Sequence, residues 1–102
     1  MPARARLTPR ARDELKDATR WIARDNPTAA RALRKAVDAL TELLAEHPLV
    51  GTSRPELAPA PYRVAVVRGF PYLIVYNAAA SPPSVVRVVH GARDLPEVLK
   101  DL

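Results

Sequence analysis

The chain has 102 residues, 48% hydrophobic and 26% charged, the size and composition of one ordinary globular domain. It contains no cysteine, which excludes disulfides, iron–sulfur clusters, thiol catalysis and thiolate zinc sites, and only two histidines, His47 and His90, so neither a metal nor a cofactor is expected. Sixteen basic residues against eleven acidic ones give a net charge of +5, and thirteen of the sixteen are arginine, a cation suited to bidentate contact with carboxylate or phosphate.

That balance leaves both an acidic protein partner and a nucleic acid open. An excess of Arg over Lys also follows from GC-rich coding, so charge alone selects no partner. No apolar run approaches the roughly 18 residues of a membrane helix. The opening Met-Pro-Ala-Arg-Ala-Arg has no apolar stretch behind it, unlike a secretory signal. The expectation is a small cytoplasmic protein, one domain over residues 1–102, with no membrane association.

Residues 3–7 alternate small or apolar with basic side chains and read as a short strand. Thr8-Pro9 then offers an N-cap followed by a proline at the first helical position, where its missing N–H costs nothing. Ala11, Leu15, Ala18 and Ile22 recur at helical spacing, and the helix is expected to end near Asp25. Asn26-Pro27 repeats the starting signal. Ala30, Leu33, Val37, Leu40 and Leu44 form a second stripe, widened by Leu43, until His47-Pro48 closes the helix. Two amphipathic helices so closely joined must fold back as an antiparallel hairpin.

Residues 48–61 hold four prolines and a glycine and read as a surface loop. Tyr62–Arg68, Tyr72–Tyr76 and Ser84–His90 are rich in β-formers and read as three strands. Gly69-Phe70-Pro71 and residues 77–83 supply the turns between them. Asp94 is a candidate cap for a last helix, Leu95–Asp101. The order β-α-α-β-β-β-α predicts an α+β fold: an N-terminal strand, a two-helix hairpin on a small, mainly antiparallel sheet, and a short C-terminal helix.

The hairpin can cover only one sheet face. Strict alternation places Val85, Arg87 and Val89 on one side of the last strand and Val86, Val88 and His90 on the other. It divides the middle strand into Tyr72, Ile74, Tyr76 and Leu73, Val75. Neither strand has a polar face, so an apolar groove awaiting a partner segment is expected on the side away from the hairpin.

No acidic residue falls between Tyr62 and Arg93, whereas Arg63, Arg68, Arg87, Arg93 and His90 all do. Arginines can simply terminate strands and keep edges soluble. They also suit an electropositive surface for an acidic segment or a phosphate backbone, and the four arginines are the candidate contacts for such a partner. His90 could act as a general acid or base if oriented by Asp94 or a carbonyl, although a histidine at a strand end is more often structural. Tyr62, Tyr72 and Tyr76 could stack on bases or simply pack the sheet. No phosphate-binding loop, nucleophile elbow or metal-ligand spacing is present.

Leu7-Thr8-Pro9-Arg10-Ala11 at a helix start, the Asn26-Pro27 hairpin, Glu46-His47-Pro48 with Gly51 following, Tyr62-Arg63, the strand Tyr72–Tyr76, and the run Val88-Val89-His90-Gly91-Ala92-Arg93-Asp94 together resemble the RelE/ParE superfamily of bacterial type II toxins. The resemblance spans nearly the whole chain. It implies a toxin neutralised by a cognate antitoxin, ParD-like, with a ribbon-helix-helix domain and an acidic C-terminal segment that folds on the toxin. It also implies one of two activities. RelE-like members cleave messenger RNA; ParE-like members inhibit DNA gyrase, and hence replication, through protein–protein contact.

Of the basic positions of the RelE-like branch, only Arg63 and Arg93 are basic here. Ala65 and Leu73 occupy two others, and Leu99 stands where that branch often has tyrosine. The resemblance therefore implies the ParE-like branch, not an enzyme, with Arg63, Arg68, Arg87 and Arg93 contacting the antitoxin and no direct DNA binding by the toxin alone. The alternatives are a ribonuclease using Arg63, His90 and Arg93, or an inactive member that only binds its antitoxin.

Overall fold

A computed structural model describes residues 3–102. Seven elements follow the expected order: β1 (Arg6–Leu7), α1 (Pro9–Ala23), α2 (Pro27–Glu46), β2 (Tyr62–Val66), β3 (Tyr72–Asn77), β4 (Ser84–His90) and α3 (Leu95–Val98). The strands form one mixed sheet in the order β1-β4-β3-β2, with β1 parallel to β4 and the other neighbours antiparallel.

Both helices start as their capping residues dictate. Thr8 accepts a hydrogen bond from the Ala11 N–H and Asn26 accepts one from the Ala29 N–H, each followed by proline. Thr8 also limits β1. Its own N–H still bonds Val85, but the chain turns into α1 at once, so the strand has two residues where five were expected. The helix stripes pack as predicted, with Ala11, Leu15, Ala18, Leu33, Val37 and Leu44 buried against Ile74, Tyr76, Val85 and Val88. Leu43 is instead exposed, and Thr41 takes a buried place by returning its hydroxyl to the Asp38 carbonyl.

The sheet's far face departs from expectation. Leu73, Val75 and Val89 are buried there beneath the chain's own segments: Leu57 and Ala58 from the proline-rich loop, and Leu99, 1% exposed, from the C-terminal end. The expected open apolar groove is therefore absent. The loop looked unable to pack because its prolines preclude regular structure. Irregular backbone can still present apolar side chains once its polar groups are bonded, here by Arg54 carbonyl acceptors and a bridge between Thr52 and Val64. Among the described residues Val66, at 68% exposure, stays bare on this face.

A bulge explains a second departure. Tyr76 is paired with Val85 and Val75 with Arg87, leaving Val86 unopposed. The extra residue breaks the period-two alternation, so Val85 and Val88 both join the helix-side core while Val86 and Val89 join the other. At the C-terminus, α3 is a single turn instead of the expected seven residues. Asp94 precedes it but makes no side-chain cap, and residues 99–101 continue as turns.

Candidate functional site

The four candidate arginines do not form one surface. Arg87 is 3% exposed; it grips Glu14 of α1 through Nε (3.0 Å) and Nη2 (2.9 Å) and donates Nη1 to the Val98 carbonyl. It is a core residue that ties helix, strand and C-terminal turn together, and is unavailable to a partner. Arg63 donates to the carbonyls of Leu49 and Gly51, at the sheet end defined by the Tyr62–Asn77 pair. Arg68 and Arg93 are exposed and lie at the opposite end, where the β2–β3 turn meets the exit of β4 through the Gly91 N–H to Pro71 bond.

This split also separates the ribonuclease candidates. Arg63 lies opposite Tyr76 while His90 lies opposite Tyr72, four residues further along β3, a distance of about 13 Å at strand rise before the width of the strands is added. His90 and Arg93 share a site; Arg63 is not part of it.

That site is a cleft of about 550 Å³ between α1 and the end of β4. One wall carries Asp17, Ala18 and Trp21, the other Tyr72, His90 and Arg93. His90 is held edge-on to Tyr72, with ring centroids 5.1 Å apart, and its Nδ1 accepts from the Ala92 N–H at 3.0 Å. The neutral ring in this contact carries its proton on Nε2, and the partner at Nδ1 is a backbone N–H, neither Asp94 nor a carbonyl. Trp21 is 67% exposed with the Arg24 guanidinium 5.3 Å from its ring centroid. In the sequence Trp21 borders the Ala11–Ile22 stripe without belonging to it. The available signal was its position on α1, one residue before the buried stripe's last member, among charged neighbours.

Charge is distributed unevenly around the cleft. Arg4, Arg10, Arg54 and Arg87 are in ion pairs with Glu42, Asp101, Glu56 and Glu14 respectively. Arg20, Arg24, Arg31, Arg34, Arg68 and Arg93 enter no ion pair among the described residues. A shallower groove of about 350 Å³ on the outer side of the hairpin is lined by Arg20, Arg31 and Arg34 over Ala23, Pro27 and Ala30. Six arginines without an ion pair thus gather at the hairpin tip and the adjoining sheet end, together with Asp17 and Asp25, while Arg6, Arg12, Arg63, Lys16 and Lys35 elsewhere also enter none among the described residues. Among the described residues no group of side chains could hold a metal ion, and no helix is long and apolar enough to cross a membrane.

The family model described as the ParE toxin of the type II toxin–antitoxin system parDE matches residues 5–95. The chain belongs to the ParE toxin family. A solved structure of the chromosomal ParDE toxin–antitoxin system from P. aeruginosa shares its fold, with a TM-score of 0.69 at 14% identity, over 87% of this chain and 96% of that one. No curated protein matches the sequence. Within this ParE-family chain, the positions that depart from the RelE-like pattern serve packing: Ala65, Leu73 and Leu99 are all buried. Their side chains fill the two cores and offer no group to a substrate.

Proposed function

We propose that this ParE-family toxin acts by protein–protein contact on DNA gyrase, blocking replication, and that a cognate ParD-like antitoxin neutralises it through an acidic C-terminal segment. The observation that carries the reading is family membership across residues 5–95. Two structural facts support a non-nucleolytic mode. The surviving candidates Arg63, His90 and Arg93 are divided between two ends of the sheet, and Ala65, Leu73 and Leu99 are packed into the interior. Cleavage through a 2′-hydroxyl needs a base, an acid and charge stabilisation converging on one phosphate.

Of the expected antitoxin contacts, Arg68 and Arg93 are free to serve, joined by Arg20, Arg24, Arg31 and Arg34 of the hairpin. Arg87 works inside the fold, and Arg63, half-buried, gives one guanidinium nitrogen to the loop carbonyls of Leu49 and Gly51. The toxin alone is proposed not to bind DNA and to act in the cytoplasm, where gyrase is. The test is supercoiling by purified gyrase with the added chain, alongside messenger RNA integrity in cells expressing it. Gyrase-linked DNA breaks with intact RNA, reversed by the antitoxin, are expected. Position-specific RNA cuts that disappear in His90→Ala or Arg93→Ala, with supercoiling unimpaired, would overturn it in favour of a ribonuclease.

A further inference from the structure

The two-helix hairpin is polarised along its length. Residues 20–34, around its turn, carry four arginines against a single acid, Asp25. The rest of it, residues 9–19 and 35–46, carries four basic side chains against six acidic ones. Three of the four arginines, Arg20 on α1 and Arg31 and Arg34 on α2, line the groove of about 350 Å³. All three are exposed and stand outside every ion pair among the described residues. No acidic side chain lines that groove. Arg31 gives Nη2 to the Thr28 hydroxyl at 3.3 Å, and its other donors find no acceptor among the described residues. Arg31 and Arg34, three residues apart on one helix face, are close enough to repel, so the fold itself gains nothing from the set.

The floor of the groove decides between two kinds of anion. It is made of Ala23, Pro27 and Ala30, with Thr19 beside them, whose hydroxyl already donates to the Lys16 carbonyl at 2.9 Å. An acidic peptide is held chiefly by large apolar or aromatic anchors, with its charges at the rim. This groove presents no aromatic side chain, and nothing on its floor is larger than proline. It offers guanidinium forks over a low floor, which is donors without an anchor. A phosphodiester backbone needs that and no more, since charge and hydrogen bonds to its oxygens hold it.

Duplex DNA carries one phosphate charge about every 1.7 Å along its axis, so each of the three guanidinium groups meets an acceptor whatever the register. Three contacts alone give weak, salt-sensitive binding. They count where another protein already holds the duplex beside them and so raises its effective concentration. We propose that the groove at the hairpin tip receives the phosphodiester backbone of the duplex that gyrase holds, with Arg20, Arg31 and Arg34 each donating to a phosphate. This rests on the gyrase reading and deepens it: the toxin grips the target's DNA as well as the target protein. An acidic antitoxin segment lying over the same arginines excludes the phosphates.

The experiment titrates the fluorescently labelled full chain, freed from its antitoxin, with gyrase alone, with gyrase on a linear duplex and with the duplex alone, over a range of salt. The parent chain should bind gyrase on the duplex about tenfold or more tightly than gyrase alone, and the free duplex hardly at all. The triple variant Arg20→Gln, Arg31→Gln, Arg34→Gln should lose that gain, keep the affinity for gyrase alone, and reduce the salt slope by about three. Each single replacement should forfeit part of the gain and reduce the slope by about one. The control Arg12→Gln, Lys16→Gln, Lys35→Gln removes equal charge from exposed positions elsewhere on the hairpin and should keep the gain. Equal losses by the tip variant with and without the duplex assign the groove to an acidic protein surface and overturn this inference, leaving the gyrase reading standing. Binding that the duplex does not improve, or a control that loses as much as the tip variant, overturns it too. A parent chain that binds gyrase in neither form overturns both.

Discussion

Arg87 and Arg93 are six residues apart on the same strand and its exit, yet they belong to different chemistries. Arg87 lies in the seam between α1, β4 and the C-terminal turn, desolvated and matched to Glu14. Arg93 stands at the rim of a cleft beside an exposed tryptophan, with no ion-pair partner among the described residues. The seam holds the molecule together; the hairpin-tip end holds charge and aromatic surface that the fold does not use. Stability and binding should therefore respond to different residues.

The largest loss of stability is expected at the seam. Glu14→Ala strands a buried guanidinium and leaves the Val88 N–H unbonded, which should cost about 3–5 kcal/mol in urea unfolding. Replacing both partners, as Glu14→Leu with Arg87→Met, should recover much of that, because the buried charge goes too. A loss confined to the double variant would contradict the role assigned to the pair. Leu99→Ala should cost about 2–5 kcal/mol by opening a cavity under the far-face cover.

Smaller effects follow where one group ties a loop. The Tyr76 hydroxyl donates to the Pro48 carbonyl at 2.7 Å and accepts from the Gly51 N–H at 2.9 Å. Tyr76→Phe should cost about 1–2 kcal/mol by thermal unfolding. Gly51→Ala should disturb the same tie, since a Cβ there would come within 2.6 Å of that hydroxyl and 2.9 Å of the Val64 carbonyl. At the other end, Trp21→Ala should change stability by no more than about 0.5 kcal/mol, since its side chain is largely exposed.

The smallest effect is electrostatic and depends on pH. The Arg10 guanidinium donates to Asp101 at 2.6 Å, and this hydrogen bond holds the Asp101 carboxyl below its ordinary range while raising Arg10. A carboxyl depressed in the folded state stabilises above its unfolded pKa and loses that contribution as pH falls through the folded value. Asp101→Asn should therefore lower stability slightly at neutral pH and converge with the parent chain in acid, as measured by melting temperature against pH. A difference that persists or grows below the carboxylate range would contradict the tether.

The comparison of the two regions also marks what was legible in the amino-acid pattern. Thr8-Pro9 and Asn26-Pro27 announced both helix starts because capping is local, and the Ala11–Ala18 and Ala30–Leu44 stripes announced the covered sheet face. Strand β3 kept its alternation and was read correctly. The bulge at Val86 moved Val85 to the face of Val88, and a single inserted residue leaves no trace in a run of valines. Arg87 was misplaced because nothing in its own strand shows that Glu14 and the Val98 carbonyl, distant in sequence, take its donors inside the fold. The far-face cover was missed because Leu57 and Ala58 sit in proline-rich sequence with no period to follow. Trp21, His90 and Arg93 could not be joined by spacing alone, since α1 and β4 meet only in the folded chain.

One measurement reaches the central claim directly: the chemical-shift changes across the isotopically labelled chain when the antitoxin is titrated in. The account predicts the largest changes at residues 17–24, 68–72 and 88–93, the hairpin-tip end where Trp21, Arg24, Arg68 and Arg93 and the cleft lie. Changes confined to residues 48–63 and 95–102, with the cleft silent, would place the partner on the far-face cover and contradict the account.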